Sequence, residues 1–168
     1  EPLVLHAARR IAELDPGRKI AVCAEGGTVA GLLAPLGFEI VFNPRPEGGL
    51  STSLACGIAS LGQGALSSAL ICLGDMPFVS LCHLQQVAER FDPVDAPIVA
   101  SVTNGIVMPP AIFARAYFDR LRALEGDSGA RALLASAVHV AARPEELADI
   151  DTLKELDAAS RRGAPTDS

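Results

Sequence analysis

The chain has 168 residues, of which 49% are hydrophobic and 20% are charged, and its formal net charge at pH 7 is −6. This length supports one domain that buries ~70% of the surface exposed by the unfolded chain. The acidic balance argues against a nucleic-acid partner, since binding to a phosphate backbone needs clustered Lys and Arg. The sequence contains neither a secretory signal nor an apolar run long enough for a bilayer, so we expect a cytoplasmic protein without a membrane partner.

The four cysteines of the chain lie far apart in sequence, inside apolar runs. They form none of the close pairs that zinc sites and redox motifs use. We therefore interpret them as buried, reduced, structural thiols. They are Cys23, Cys56, Cys72 and Cys82.

Apolar periodicity and turn residues predict strands that alternate with helices along the chain. Helices are expected at 3–14, 28–36, 53–61, 80–91 and 112–124; a further helix ends at about 136, and a terminal helix begins at about 152. Strands are expected at 19–24, 38–42, 68–73, 97–102 and 138–142. This order predicts an α/β fold with a mostly parallel sheet, helices on both faces and ligands at the carboxyl ends of the strands. A single domain over residues 1–160 and a polar tail at 161–168 follow from the same pattern.

The segment Gly74-Asp75-Met76-Pro77 follows the apolar strand predicted at 68–73. A carboxylate in this position emerges at the ligand-binding edge of the sheet. Gly74 would allow close approach of a ligand, and Pro77 would fix the turn, so Asp75 would be held as a hard oxygen ligand for Mg²⁺. Alternatively, Asp75 merely caps the helix that follows.

A pair of carboxylates occurs in the segment Asp149-Ile150-Asp151-Thr152. In an extended chain, Asp149 and Asp151 point to one face and Ile150 to the other, so the two could complete a metal site with Asp75. Alternatively, Asp151 or Thr152 caps the terminal helix.

Two loops that contain glycine lead into helices. The first, Gly48 to Ser53, offers free backbone N–H groups and the hydroxyls of Ser51, Thr52 and Ser53 to a base, a ribose or an anion, although such residues are also ordinary helix caps. The second, Gly126-Asp127-Ser128-Gly129-Ala130-Arg131, places an arginine fork where it could reach a phosphate or remain in solvent. His6, His83 and His139 lack the mutual spacing of a metal site and are interpreted as bystanders.

Taken together, these segments resemble the molybdenum cofactor (molybdopterin) cytidylyltransferases, within the wider group of molybdopterin nucleotidyltransferases. Five segments match in order and cover nearly the whole chain. They are Glu1-Pro2-Leu3 at the start of a helix, Gly49 to Leu54, Gly74 to Pro77, Gly126 to Arg131, and Asp149 to Thr152.

The resemblance implies a three-layer, Rossmann-like nucleotidyltransferase fold and a Mg²⁺-dependent transfer of CMP from CTP to the terminal phosphate of molybdopterin. By this similarity, Asp75 and Asp151 would be catalytic metal ligands with Asp149 beside them. Gly49, Ser51, Thr52, Ser53 and Gly74 would line the nucleotide site, and Gly126, Asp127 and Arg131 would border the pterin. A molybdoenzyme that receives the product is a further expected partner.

The chain departs from the family pattern in two places. Family members begin with a strand and a glycine-rich loop with Arg and Lys that wraps the triphosphate, and both are absent from this chain. A Gly-His-Pro is common in the family where Met108-Pro109-Pro110 stands here. Two alternatives therefore remain open: a guanylyltransferase or other NTP transferase, and a non-catalytic module that binds molybdopterin or passes it to a partner.

Overall fold

The computed structural model describes residues 2–62, 64, 66–126 and 132–148. Within these ranges, helices and strands alternate along most of the chain. The helices are α1 (Leu3–Leu14), α2 (Val29–Leu33), α3 (Leu50–Ser60), α4 (Leu81–Arg90) and α5 (Phe118–Arg122), and the strands are β1 (Ile20–Ala24), β2 (Glu39–Asn43), β3 (Ser68–Ile71), β4 (Ile98–Thr103), β5 (Ile106–Ala114) and β6 (Val138–Ala141).

The strands of the described residues form two hydrogen-bonded sheets. β1 and β2 pair in parallel, and the second sheet has the order β3-β5-β4-β6. β4 and β6 are parallel, whereas β5 is antiparallel to both of its neighbours. The α/β class is confirmed, and the mostly parallel arrangement is interrupted by one reversed strand.

The reversed strand β5 corrects the prediction of a helix at 112–124. Asn104 and Gly105 both have positive φ, +50° and +76°, as in the tight two-residue turns that join antiparallel strands. The chain after this turn runs back along β4 as far as Ala114, and helix α5 covers only Phe118–Arg122. Pairing with β3 on one side and β4 on the other outweighs the local helical pattern.

Helices cover both faces of the second sheet. Ala111 and Phe113 pack into the core shared with α3 and α5, whereas Ile112 points to the opposite face with Val87 of α4. This alternation along β5 is the period of two expected for a strand buried on both sides. The layers are therefore helix, sheet, helix, in agreement with the predicted three-layer architecture. Among the described helices, none has the length and apolar character needed to cross a membrane.

One large cleft lies between the two sheets. Within the described residues, β1 pairs only with β2, and β3 pairs only with β5, so each has an open edge. Both strands line the same space of about 1140 Å³, which α1 and α3 also border. We call it the central cleft. The open edges of β1 and β3 are compatible with the additional first strand that the family resemblance implies. That strand remains a prediction.

The cysteines follow the sequence interpretation in part. All four are free, and Cys23, Cys56 and Cys72 are half-buried. Burial raises the pKa of the Cys72 thiol to about 12. Cys82, however, is exposed, so its predicted burial is wrong: its side chain lies on the outer side of amphipathic helix α4, whose residues His83, Leu84 and Val87 are buried.

Candidate active site

Asp75 lies in a turn beyond the carboxyl end of β3, and its side chain faces solvent. The next residue, Met76, is only 1% exposed and packs with Val79 and Leu84 in the core. This anchor fixes the turn from the inside. No hydrogen bond or ion pair to another described residue engages the Asp75 carboxylate, so its oxygens are open to a ligand.

Asp75 does not cap helix α4. Helix α4 begins at Leu81, and Ser80 is its N-cap: the Ser80 Oγ accepts a hydrogen bond from the backbone N–H of His83 at 3.1 Å. Asp75 lies five residues before Ser80. Capping therefore does not account for a carboxylate in the turn.

Gly74 has a packing role in addition to the predicted one. A Cβ at this position would lie 3.3 Å from Cγ2 of Val4 in α1, which is a tight contact. The glycine therefore lets α1 lie close against the turn that carries Asp75. Gly74 also lines the central cleft, as expected for a residue near a ligand.

The residues before α3 do not cap this helix with a side chain, which was the alternative role offered by the sequence. Helix α3 begins at Leu50, three residues earlier than predicted, and Gly49 is its N-cap with φ of +80° and ψ of −166°. This conformation is almost restricted to glycine. No side chain caps the helix. Ser51, Thr52 and Ser53 therefore lie in its first turn, where the backbone N–H groups favour an anion or another acceptor.

A buried asparagine that the sequence analysis did not single out holds this loop. Asn43 is the last residue of β2 and is 2% exposed. Its Nδ2 donates to Thr52 Oγ1 at 2.9 Å and to Ser53 Oγ at 3.0 Å, and its Oδ1 accepts from the backbone N–H of Arg45 at 2.9 Å. An asparagine at a strand end, directly before a proline, is the sequence signal that could have indicated it.

The central cleft brings several of the predicted residues together. Ser51 and Ser53 from the first turn of α3 line it, as do Gly74 after β3 and Gly126. Gly49, Thr52 and Asp75 belong to the same segments but are not among the lining residues. The first turn of α3 and the turn after β3 thus border one cavity.

Other predicted site residues lie outside the described ranges. These are Asp127 and Arg131 on the expected pterin side, and Asp149 and Asp151 of the acidic pair. Among the described residues alone, no group of three His, Cys, Asp or Glu side chains could hold a metal ion. The metal site formed by Asp75, Asp149 and Asp151 therefore remains a prediction.

A second buried polar group supports helix α4. His83 is buried, and its Nε2 lies 2.8 Å from Ser101 Oγ, so this histidine is structural. Glu146, only 6% exposed, accepts hydrogen bonds from Ser80 and from the backbone and side chain of Arg143. Burial alone would raise the pKa of Glu146, but these hydrogen bonds outweigh it and lower the pKa. Burial lowers the pKa of His83, while the Glu146 carboxylate opposes that effect.

The family model of the MobA-like NTP transferase domain matches residues 1–142. The chain therefore belongs to this family. The alternative of a non-catalytic module rests on the missing glycine-rich loop, which this match does not test, so that alternative stays open.

Individual proteins show how far the similarity extends. The purine catabolism protein PucB of Bacillus subtilis (strain 168) is 32% identical over 123 residues, which are 68% of this chain and 58% of that protein. The chain thus spans less than two thirds of the length of this curated relative.

Solved structures support the fold. Rv0371c of Mycobacterium tuberculosis H37Rv superposes with a TM-score of 0.73 at 20% identity, over 95% of this chain and 82% of that chain, and a second structure of it is described as a complex with manganese. Molybdopterin-guanine dinucleotide biosynthesis protein A of Archaeoglobus fulgidus has a TM-score of 0.63 at 15% identity, over 95% and 84% of the two chains.

Proposed function

We propose that this protein is a nucleotidyltransferase that transfers CMP from CTP to the terminal phosphate of molybdopterin. An acceptor phosphate oxygen attacks the α-phosphorus of CTP, a new P–O–P bond forms, and the bond to the β-phosphate breaks to release pyrophosphate. The product is a cytidine dinucleotide that a molybdoenzyme would receive. The observation that carries the proposal is the position of Asp75, an exposed carboxylate without a described partner, in the turn that begins with the cleft-lining residue Gly74.

The residues of this chain act mainly by binding and orientation. Phosphoryl transfer needs positioned groups and compensation of oxygen charge more than a covalent nucleophile. The backbone N–H groups in the uncapped first turn of α3 and the hydroxyl of Ser53 offer donors to the nucleotide, and Ser51 lines the same cleft. Gly126, which also lines the cleft, and with it Asp127 and Arg131, would border the pterin.

The donor chemistry of Asp75 fits Mg²⁺, because a solvent-facing carboxylate is a hard oxygen ligand. We propose that Asp149 and Asp151 complete the set. Bound Mg²⁺ would compensate the negative charge of the triphosphate. The structure of Rv0371c that is described as a complex with manganese supports a divalent metal in this proposal.

We choose CTP over GTP as the nucleotide donor because of the acidic pair Asp149 and Asp151. The guanylyltransferases that the chain also resembles tend to carry asparagines where Asp149 and Asp151 stand. The relative PucB is described as a purine catabolism protein and the Archaeoglobus protein as a molybdopterin-guanine dinucleotide protein. GTP is therefore the second candidate donor.

The test measures pyrophosphate release by the full-length protein, including any residues that precede Glu1, with each of the four NTPs and molybdopterin. We expect the highest kcat/KM with CTP and formation of a cytidine dinucleotide, identified by mass spectrometry. Omission of molybdopterin is the control and should abolish release. Preference for GTP would replace the donor in this proposal, and turnover only with a sugar phosphate in place of molybdopterin would refute the acceptor.

A further inference from the structure

Three hydroxyls in the first turn of α3 carry different hydrogen bonds, although the sequence predicts the same role for all. Ser51 Oγ donates to the Gly48 carbonyl at 3.4 Å. Thr52 Oγ1 lies 2.9 Å from the carbonyl oxygens of both Arg45 and Gly49. Ser53 Oγ has no hydrogen-bond acceptor among the described residues, and Ser53 lines the central cleft whereas Thr52 does not.

The orientation of the Asn43 amide is fixed by its surroundings. The backbone N–H of Arg45 can only donate, so the atom 2.9 Å from it must be the amide oxygen. The amide nitrogen therefore faces Thr52 and Ser53 and donates to both hydroxyl oxygens. Because Asn43 is 2% exposed and paired on both sides, it has no room for the flipped arrangement.

A hydroxyl that accepts from an amide must send its own proton elsewhere. The Thr52 proton goes to a carbonyl of the loop, at Arg45 or Gly49. The Ser53 proton has no such acceptor among the described residues, and the Asn43 amide blocks the direction toward β2. Ser53 lines the central cleft, so an acceptor bound there can take this proton.

We propose that Asn43 is a positioning residue that turns the Ser53 hydroxyl proton into the central cleft, where Ser53 donates a hydrogen bond to an acceptor atom of the nucleotide. This inference rests on the proposed nucleotide site, but not on the choice of CTP. Thr52 then has a structural role: a Cβ on Gly48 would lie 2.5 Å from Thr52 Cγ2, so its side chain packs directly on the glycine turn.

The substitution Asn43→Asp reverses the hydrogen-bond direction with almost no change in shape. One carboxylate oxygen can still accept from the Arg45 N–H, but the other can only accept, and it draws the Ser53 proton away from the cleft. We expect the KM for the nucleotide to rise about tenfold, the usual cost of one hydrogen bond, with kcat nearly unchanged. Ser53→Ala removes the same donor and should have the same effect.

A double-mutant cycle on the full-length protein separates this role from charge or general disruption. It uses the NTP with the highest turnover and includes N43D, S53A and N43D/S53A. We expect the double variant to be no weaker than S53A alone. N104D is the matched control, because it makes the same change in the exposed turn between β4 and β5, and it should leave KM unchanged.

Additive effects in the cycle, or an unchanged KM in S53A, would overturn the role of Asn43 while leaving the proposed function intact. Preference for an NTP other than CTP would contradict the proposed donor. The cycle would still test the role of Asn43, because it uses whichever NTP gives the highest turnover. If N43D is too unstable to measure, N43A takes its place in the same cycle with the same requirement of non-additivity. Failure to bind any of the four NTPs would contradict both proposals.

Discussion

Asp75 and Asn43 show what single residues reveal in sequence and what they do not. Asp75 follows a continuous apolar run. The end of such a buried strand can be predicted from sequence, and so can the position of a carboxylate at the ligand-binding edge of the sheet. The helix predicted at 80–91 already left Asp75 five residues before its start, and the structure identifies Ser80 as the residue that caps it. Asn43 escaped notice because its importance comes from contacts with residues nine and ten positions away, which a local pattern does not contain.

Asp75→Asn should leave folding nearly unchanged, since an exposed side chain without a described partner alters stability by no more than about 0.5 kcal/mol. Turnover of the full-length protein should fall by more than about 100-fold, because an amide is a neutral and weaker Mg²⁺ ligand and even supporting residues of metal sites cost up to that factor. Pyrophosphate release at saturating Mg²⁺ measures this. Asp95→Asn, in the exposed turn before β4, is the control; near-normal turnover of D75N would remove Asp75 from the site.

At the scale of elements, the period of the apolar residues gave most of the helices and strands. It failed between residues 106 and 114, where Met108-Pro109-Pro110 interrupts the pattern and the apolar run after it suits either a helix or a buried strand. Pairing on both sides of β5 settles that ambiguity, and it is a tertiary effect. The start of α3 was predicted late because Gly49 replaces the usual Ser or Thr as N-cap.

The N-terminus of α4 depends on an element that is distant in sequence. Glu146 lies beyond β6 and binds the cap residue Ser80 as well as Arg143. Glu146→Gln keeps an oxygen for Ser80 but places amide hydrogens against the Arg143 donors. We expect the free energy of unfolding to fall by about 1–3 kcal/mol at pH 7.

The pH dependence tests this contribution. The pKa of Glu146 is lowered in the folded state, so the unfolded chain takes up the proton first as the solution is acidified. The stabilisation is complete above the unfolded pKa of about 4.3 and is lost as pH falls through the folded value. Denaturant titrations from pH 7 to pH 3 should therefore show the wild type converging on E146Q. A constant difference would contradict the assignment, and Glu89→Gln, exposed on α4, should show no effect.

At the scale of the whole molecule, the α/β class and its layers were predictable because strands and helices alternate with short connections. The division into two sheets was not, since strand order depends on which edges meet in space. In the described residues, helix packing joins the β1-β2 sheet to the other sheet: α1 contacts α4, and α3 contacts both β1 and α5.

This division should give the molecule two levels of local stability. Val99, Ala100 and Ala111 at the centre of the second sheet are 0% exposed, whereas the residues of β1 are half-buried or exposed. We expect backbone amides of β4 and β5 to exchange with solvent deuterium only on global unfolding, and those of β1 and β2 to exchange at a lower opening free energy. Native-state hydrogen exchange measures this, and equal protection in both sheets would contradict it.

The open edges of β1 and β3 also affect how the chain behaves among copies of itself. Each edge has no strand partner on that side among residues 2–62, 64, 66–126 and 132–148, so a strand from another polypeptide can pair with its backbone N–H and C=O groups, and the walls of the central cleft supply apolar contacts for the side chains of that strand. In concentrated solution such edges favour strand exchange and aggregation. The solubility of this chain therefore depends on whether a stretch of polypeptide fills the central cleft.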